Sequence, residues 1–243
     1  MMSSYTTWEG KPVILRAPKS RTVFIVSHFS TQHDPNQSED LLSMNTDFVW
    51  RVDMAESGIG ARAYFLDWYR WATKINGQTI DTTSSHAIPF SELQETAAYQ
   101  GLSLDTMRTG DILVIRSGYL AQYATMPDAK RKELDDLYET TKPCNIGVEA
   151  GPELLRFLWE KQLAAVAGDS RSFESWPCPE NKKEWHLHQW LLAGWGMPIG
   201  ELWDLEALSA LSERLGRWTF FLTSAPMNVP GGVASPPNAL AFF

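Results

Sequence analysis

The stretch Ile112-Leu113-Val114-Ile115 constrains this chain more than any other: four apolar residues, three of them β-branched, bounded by Gly110-Asp111 and Arg116-Ser117-Gly118. A run so short has no polar face, so it reads as a strand covered on both sides. A second candidate of the same kind is Ala164-Ala165-Val166-Ala167, ending at Gly168-Asp169. Helix patterns lie around them. Ser91 and Gln94 are spaced as a helix-start box for a helix from Glu92 to about Gln100 that stops at Gly101. Pro152 to Lys161 is amphipathic, with Leu154, Leu155, Leu158 and Trp159 expected on one side.

The remaining segments extend the alternation. Residues 12–15 and 22–26 read as short strands split by Pro18-Lys19-Ser20, and 61–66 as another, followed by Asp67 and an aromatic helix or turn through Trp71. Gln32 to Asn45 is polar and reads as an exposed loop or the mouth of a site. Met126 to Thr141 is a charged surface helix. A helix from His186 to Ala193 is broken by Gly194 and Gly196; helix is expected to resume from Ile199 to Ala210, before a strand at Trp218 to Leu222. The tail from Pro226 to Phe243 reads as packed irregular chain. Helices alternating with buried strands give an α/β class, expected as one domain over 1–243.

Charge narrows the partners. The formal net charge of −8 comes with scattered Lys and Arg, which argues against nucleic acid and against an anionic membrane surface. Small molecules or other proteins remain. Cys144 and Cys178 fit neither a disulfide framework nor a cysteine metal site. Met1 to Pro12 has no leader pattern and no stretch approaches a membrane span, so a cytoplasmic location is expected. Of the 11 tryptophans, pairs such as Trp68 with Trp71 and Trp185 with Trp190 suit helix packing or the lining of an aromatic pocket.

Two polar groupings carry chemistry. Ser27-His28-Phe29-Ser30-Thr31-Gln32-His33-Asp34 follows a strand, and alternation puts His28, Gln32 and Asp34 on one face with His33 on the other. These residues are either solvated loop polar groups or half of a metal site. His188, on a helix, and Glu201, across the turn Gly194-Trp195-Gly196-Met197-Pro198, are either a satisfied core histidine and a helix-terminal carboxylate, or two ligands that suit zinc or manganese.

The segment from His188 to Leu202 resembles the C-terminal metal motif of the cyclase family that includes kynurenine formamidase and isatin hydrolase. Gly110 to Gly118, Ala164 to Ser170, and Phe220 to Pro226 with Gly231 to Pro236 resemble the fungal-type branch of that family. The resemblance covers residues 57–243; residues 1–56 look shortened or remodelled. It implies a swivelling β/β/α cyclase-like fold, a homodimer or higher oligomer, and a Zn2+ or Mn2+ site.

Matched onto the family's strand motif His-x-Gly-Thr-His-x-Asp, His28, Gln32 and Asp34 take the ligand positions, with His188 and Glu201 completing the set. Gln32 replaces a histidine, and Ser38 stands where hydrolytic members carry their acid–base histidine. His33 and His86 are the stand-ins considered for that role. Arg116 is a candidate for holding a substrate carboxylate and Trp195 for contacting a flat substrate.

The activity implied is metal-dependent hydrolysis of a cyclic amide, formamide, ester or lactone in a small aromatic or polycyclic molecule, with secondary metabolism and natural-product biosynthesis as a setting. The two departures keep other readings open: a metal-independent cyclase, dehydratase or isomerase, and a non-catalytic binding protein.

Overall fold

The computed structural model describes residues 13–15, 25–26, 54, 58–227 and 234–243. Its strands are β1 (Val13–Leu15), β2 (Ile25–Val26), β3 (Ile59–Leu66), β4 (Ala87–Ile88), β5 (Ile112–Ile115), β6 (Gly147–Val148), β7 (Ala165–Gly168), β8 (Ile199–Gly200), β9 (Thr219–Pro226), β10 (Ala234–Ser235) and β11 (Pro237–Phe242). Nine of them form one sheet in the order β1-β11-β9-β3-β5-β7-β8-β2-β10, and β4 pairs with β6. The centre, β3-β5-β7-β8, is parallel. Antiparallel strands flank it on both sides.

Strand β5 is the apolar run that the sequence singles out, and the two-residue period divides it between two cores. Leu113 and Ile115 join Tyr64, Leu66 and Val166 on one face; Ile112 and Val114 join Ala63, Phe65, Ala165 and Ala167 on the other. Burying each large side chain contributes roughly 1.5–3 kcal/mol, which fixes the register, since a slip of one residue would exchange the two faces.

The helices are α1 (Trp68–Arg70), which opens into a wide turn over Trp71–Ile75, α2 (Phe90–Tyr99), α3 (Tyr119–Thr125), α4 (Asp128–Tyr138), α5 (Pro152–Lys161) and α6 (Glu206–Leu215). Helix α5 matches its expected bounds, with Pro152 in the first turn where a missing N–H costs nothing. Trp159, however, is 58% exposed. It lies one position past Leu158, which carries it beyond the edge of the buried stripe. Helix α2 starts at Phe90 rather than Glu92, without a side-chain cap. Glu92 instead accepts the Trp68 indole N–H at 2.7 Å.

Two expectations are corrected further on. The segment 199–210 is not one helix: Ile199–Gly200 is β8, Leu202 takes a left-handed φ of 56°, and α6 begins only at Glu206. The tail is not irregular throughout, because β11 pairs along β9 with Ala239 and Ala241 buried and Phe242 exposed. Among the described residues no helix is long and apolar enough to cross a membrane.

The parallel centre positions the chemistry. Immediately after β3, β5, β7 and β8 come Asp67, Arg116, Asp169 and Glu201, all buried. Four charged residues thus line the carboxyl edge, where open parallel sheets bind their ligands.

Candidate functional site

At the β3 and β5 end of this edge the charges are fully engaged. Arg116 donates to Asp67 at 2.7 Å and, through two nitrogens, to both oxygens of Glu206 at 2.8 Å. Asp67 also accepts from Ser209 and Arg70. Next along, Asp169 accepts the Ser117 N–H at 2.6 Å, the Ser117 hydroxyl at 2.7 Å and the Gly118 N–H at 2.8 Å. Burial pushes the Asp169 carboxyl up to about 6, against those bonds and the nearby Arg116 charge.

At the β8 end the arrangement changes. Glu201 follows Gly200, where a side chain would come within 2.8 Å of Ala167 and of the Trp203 indole, so only glycine lets the strand lie this close. The buried Glu201 accepts the Phe173 N–H at 3.1 Å. Facing it at 3.2 Å is Nε2 of His188. The other ring nitrogen, Nδ1, is 2.8 Å from each oxygen of Glu174, which also accepts the His188 backbone N–H at 3.1 Å.

Glu174 is 1% exposed and sits on a segment that bridges to β6 through Val148. Gly147 makes that approach possible: a Cβ there would lie 2.2 Å from the Glu174 carbonyl carbon.

The imidazole is therefore held between two carboxylates. Burial alone would lower its pKa, yet the bonds to Glu174 and Glu201 raise it to about 10. Burial opposes ionisation of Glu174, but His188 holds that carboxyl below the ordinary range, whereas burial prevails at Glu201 and raises it. His186 adds a second ring, 5.7 Å from that of His188 and with Nε2 3.4 Å from Glu174. Its Nδ1 is buried with no partner among the described residues. Burial lowers the His186 pKa, keeping that ring neutral at pH 7.

The expected site residues separate accordingly. His188 and Glu201 meet. Arg116, the candidate for holding a substrate carboxylate, stands at a buried ion-pair centre, its guanidinium bonded to Asp67 and Glu206. His86 packs on Trp68, ring centroids 5.5 Å apart. Trp195 packs at a tilt against Trp159 and Trp190, ring centroids 5.1 and 6.0 Å away, in a cluster whose other two members are exposed. His28, Gln32, His33, Asp34 and Ser38 lie outside the described residues.

Among the described residues no group of three or more His, Cys, Asp or Glu side chains is arranged to hold a metal. Glu174 does not serve as a third ligand beside His188 and Glu201, since both of its oxygens face Nδ1. Its place is that of a carboxylate that orients the His188 ring. Sequence reasoning missed Glu174 and His186; neither stands at a diagnostic spacing, and Glu174 arrives through an irregular loop.

No family model matches the chain, and neither does any curated protein sequence. Solved structures do. A protein described as a novel cyclase is 26% identical with a TM-score of 0.62, over 79% of this chain and 56% of that one. Isatin hydrolase A from Ralstonia solanacearum is 16% identical with a TM-score of 0.55, over 90% of this chain and 70% of the other. Isatin hydrolase A from Labrenzia aggregata, bound to benzyl benzoate, is 17% identical with a TM-score of 0.54, over 90% and 71%. The present chain thus spans just over half the length of the first of these, 56%. The mixed α/β architecture is the fold of the isatin hydrolases and cyclases.

Proposed function

We propose that this protein is a metal-dependent hydrolase that opens a cyclic amide, ester or lactone, or cleaves a formamide, in a small aromatic molecule. The observation that carries the reading is the Glu174–His188–Glu201 array. Glu174 holds Nδ1–H, so a neutral His188 presents the Nε2 lone pair beside the Glu201 carboxylate. An imidazole nitrogen and a carboxylate oxygen side by side suit zinc or manganese, and an outer carboxylate on Nδ1 strengthens such a ligand.

In this proposal His188 and Glu201 hold the ion together with His28, Gln32 and Asp34. When bound, it supplies Lewis acidity toward a carbonyl and toward water. The chain's own part is orientation: Phe173 N–H fixes one Glu201 oxygen, and Glu174 fixes the tautomer of His188.

A specific observation also supports a second reading. With the proton on Nε2, His188 is a cation hydrogen-bonded to a carboxylate at each ring nitrogen, an acid–base group held in place by the chain alone. That suits a metal-independent cyclisation, dehydration or isomerisation.

Metal analysis by mass spectrometry, on protein expressed with zinc and manganese, separates the two. Near-stoichiometric metal that is lost in His188→Ala and Glu201→Ala is expected for the hydrolase. Metal-free wild type, or turnover that survives chelation, would overturn it in favour of the second reading.

A further inference from the structure

The proposed chemistry leaves Lys142 without a task, although the fold places it with care. Asn145 and Trp176 exchange backbone hydrogen bonds at 3.1 and 3.0 Å. Arg171 donates to the carbonyls of Pro143 and Cys144 at 2.8 and 2.6 Å. These four bonds fix the backbone just after Lys142, whose Nζ stands 4.1 Å from the centre of the Trp176 ring. Trp176 meets His186 edge-on at 6.3 Å, and His186 leads to His188 at 5.7 Å.

The ammonium therefore ends a short row of rings that begins at the candidate ligand His188, and it lies within the field of Glu201 and Glu174. Neither carboxylate claims it. Glu174 is taken up by His188, and Glu201 by His188 and the Phe173 N–H. Among the described residues Lys142 forms no ion pair and donates no hydrogen bond, and its side chain, resting on the Trp176 face, is exposed to solvent. A cation held in this way, with its N–H donors unclaimed, is a receptor for an anion arriving at the site.

We propose that Lys142 is a product-binding residue that holds the carboxylate of an aromatic acid, the group that ring-opening of a cyclic amide or lactone leaves beside the ring. The chemistry of the occupant rests on the hydrolase reading; the anion site itself rests on the position of Lys142. Selectivity follows: aromatic molecules bearing a carboxylate are held, and uncharged analogues of the same shape are not.

Benzoate and its neutral isostere benzamide test this by calorimetric titration into the wild type, Lys142→Met and Lys142→Arg, each analysed for metal and titrated again after chelation. The wild type should prefer benzoate in both states. Lys142→Met should lose about tenfold in benzoate affinity with benzamide unchanged, and Lys142→Arg should keep most of the preference. Benzoate binding that is indifferent to Lys142→Met, or a wild type that does not bind benzoate or does not distinguish the two probes, overturns the inference. A Lys142-dependent preference in metal-free protein would sustain it while the hydrolase reading fails; stoichiometric metal without that preference would do the reverse. Near-ultraviolet circular dichroism matching the wild type confirms that the variants are folded.

Discussion

At the β3 and β5 end of the parallel edge, Asp67 and Arg116 meet Glu206 and Ser209, and each charge finds a fixed counter-charge or donor. At the β8 end, Glu201 meets an imidazole whose second nitrogen is held by Glu174. Both ends bury charge at the same structural position, one residue past a strand. The first end closes on itself through a guanidinium that never gives up its proton. The second is closed only while a titratable proton sits on Nε2; remove it and a lone pair faces a carboxylate. Position after a parallel strand is thus not enough to identify a site, and the nature of the counter-ion decides.

The largest effect should come from opening the closed end. Arg116→Met leaves Asp67, with its side chain 1% exposed, without its nearer cation and with only Arg70 at 3.4 Å, and should cost about 3–5 kcal/mol in urea denaturation. Lys at 116 should rescue little, since it lacks the fork that binds both Glu206 oxygens. A loss under about 1 kcal/mol would show that this end is not the structural one.

The open end should answer to pH. The folded pKa of His188, about 10, lies above its ordinary value of 6.5, so the folded state holds the extra proton. That stabilisation is complete below pH 6.5 and is lost as pH rises through 10. Chelated wild type compared with His188→Gln across this range isolates the contribution; parallel profiles would remove it. Metal affinity should move the opposite way, rising with pH as the Nε2 proton leaves.

Next in size is Glu174→Gln, which keeps the shape of the buttress and removes its charge. Metal affinity should fall about 10–100-fold, and the His188 resonances should titrate at lower pH by NMR. An unchanged affinity would mean that Glu174 only packs.

The fold was legible wherever one local pattern was enough. Ile112–Ile115 and Pro152–Lys161 emerge with their expected bounds because burial on two faces and a helical stripe each leave a periodic trace. Strand β11 was hidden because Pro237 and Asn238 mask an alternation that becomes plain only at Ala239, Leu240, Ala241 and Phe242. The segment 199–210 misled because Leu202, Leu205 and Leu208 carry helical spacing across a stretch whose backbone turns left-handed at Leu202. In the site, His188 and Glu201 could be named together, whereas Glu174 could not: its place depends on the close approach that Gly147 permits, 27 residues earlier. Tertiary proximity of that kind leaves no spacing to read.

The smallest effect should come from the middle of the edge, and it tests whether the contrast is a gradient or a break. Asp169 is fully buried and accepts three hydrogen bonds, yet burial holds its folded pKa at about 6, above the ordinary 3.8. The folded state therefore keeps the proton longer, and the stability this confers is full below pH 3.8 and lost as pH rises through 6. At pH 7 the ionised carboxylate carries a penalty of about 3 kcal/mol. Asp169→Asn removes that penalty but turns an amide N–H toward the Gly118 N–H, at a cost of about 1–3 kcal/mol. The two terms nearly offset, so the variant should lie within about 1–2 kcal/mol of wild type at pH 7 and fall behind it at pH 4, where the wild type regains its proton. A loss at pH 7 as large as that of Arg116→Met would instead make Asp169 a full partner of Arg116, and the break between the closed and open ends would then fall between β7 and β8.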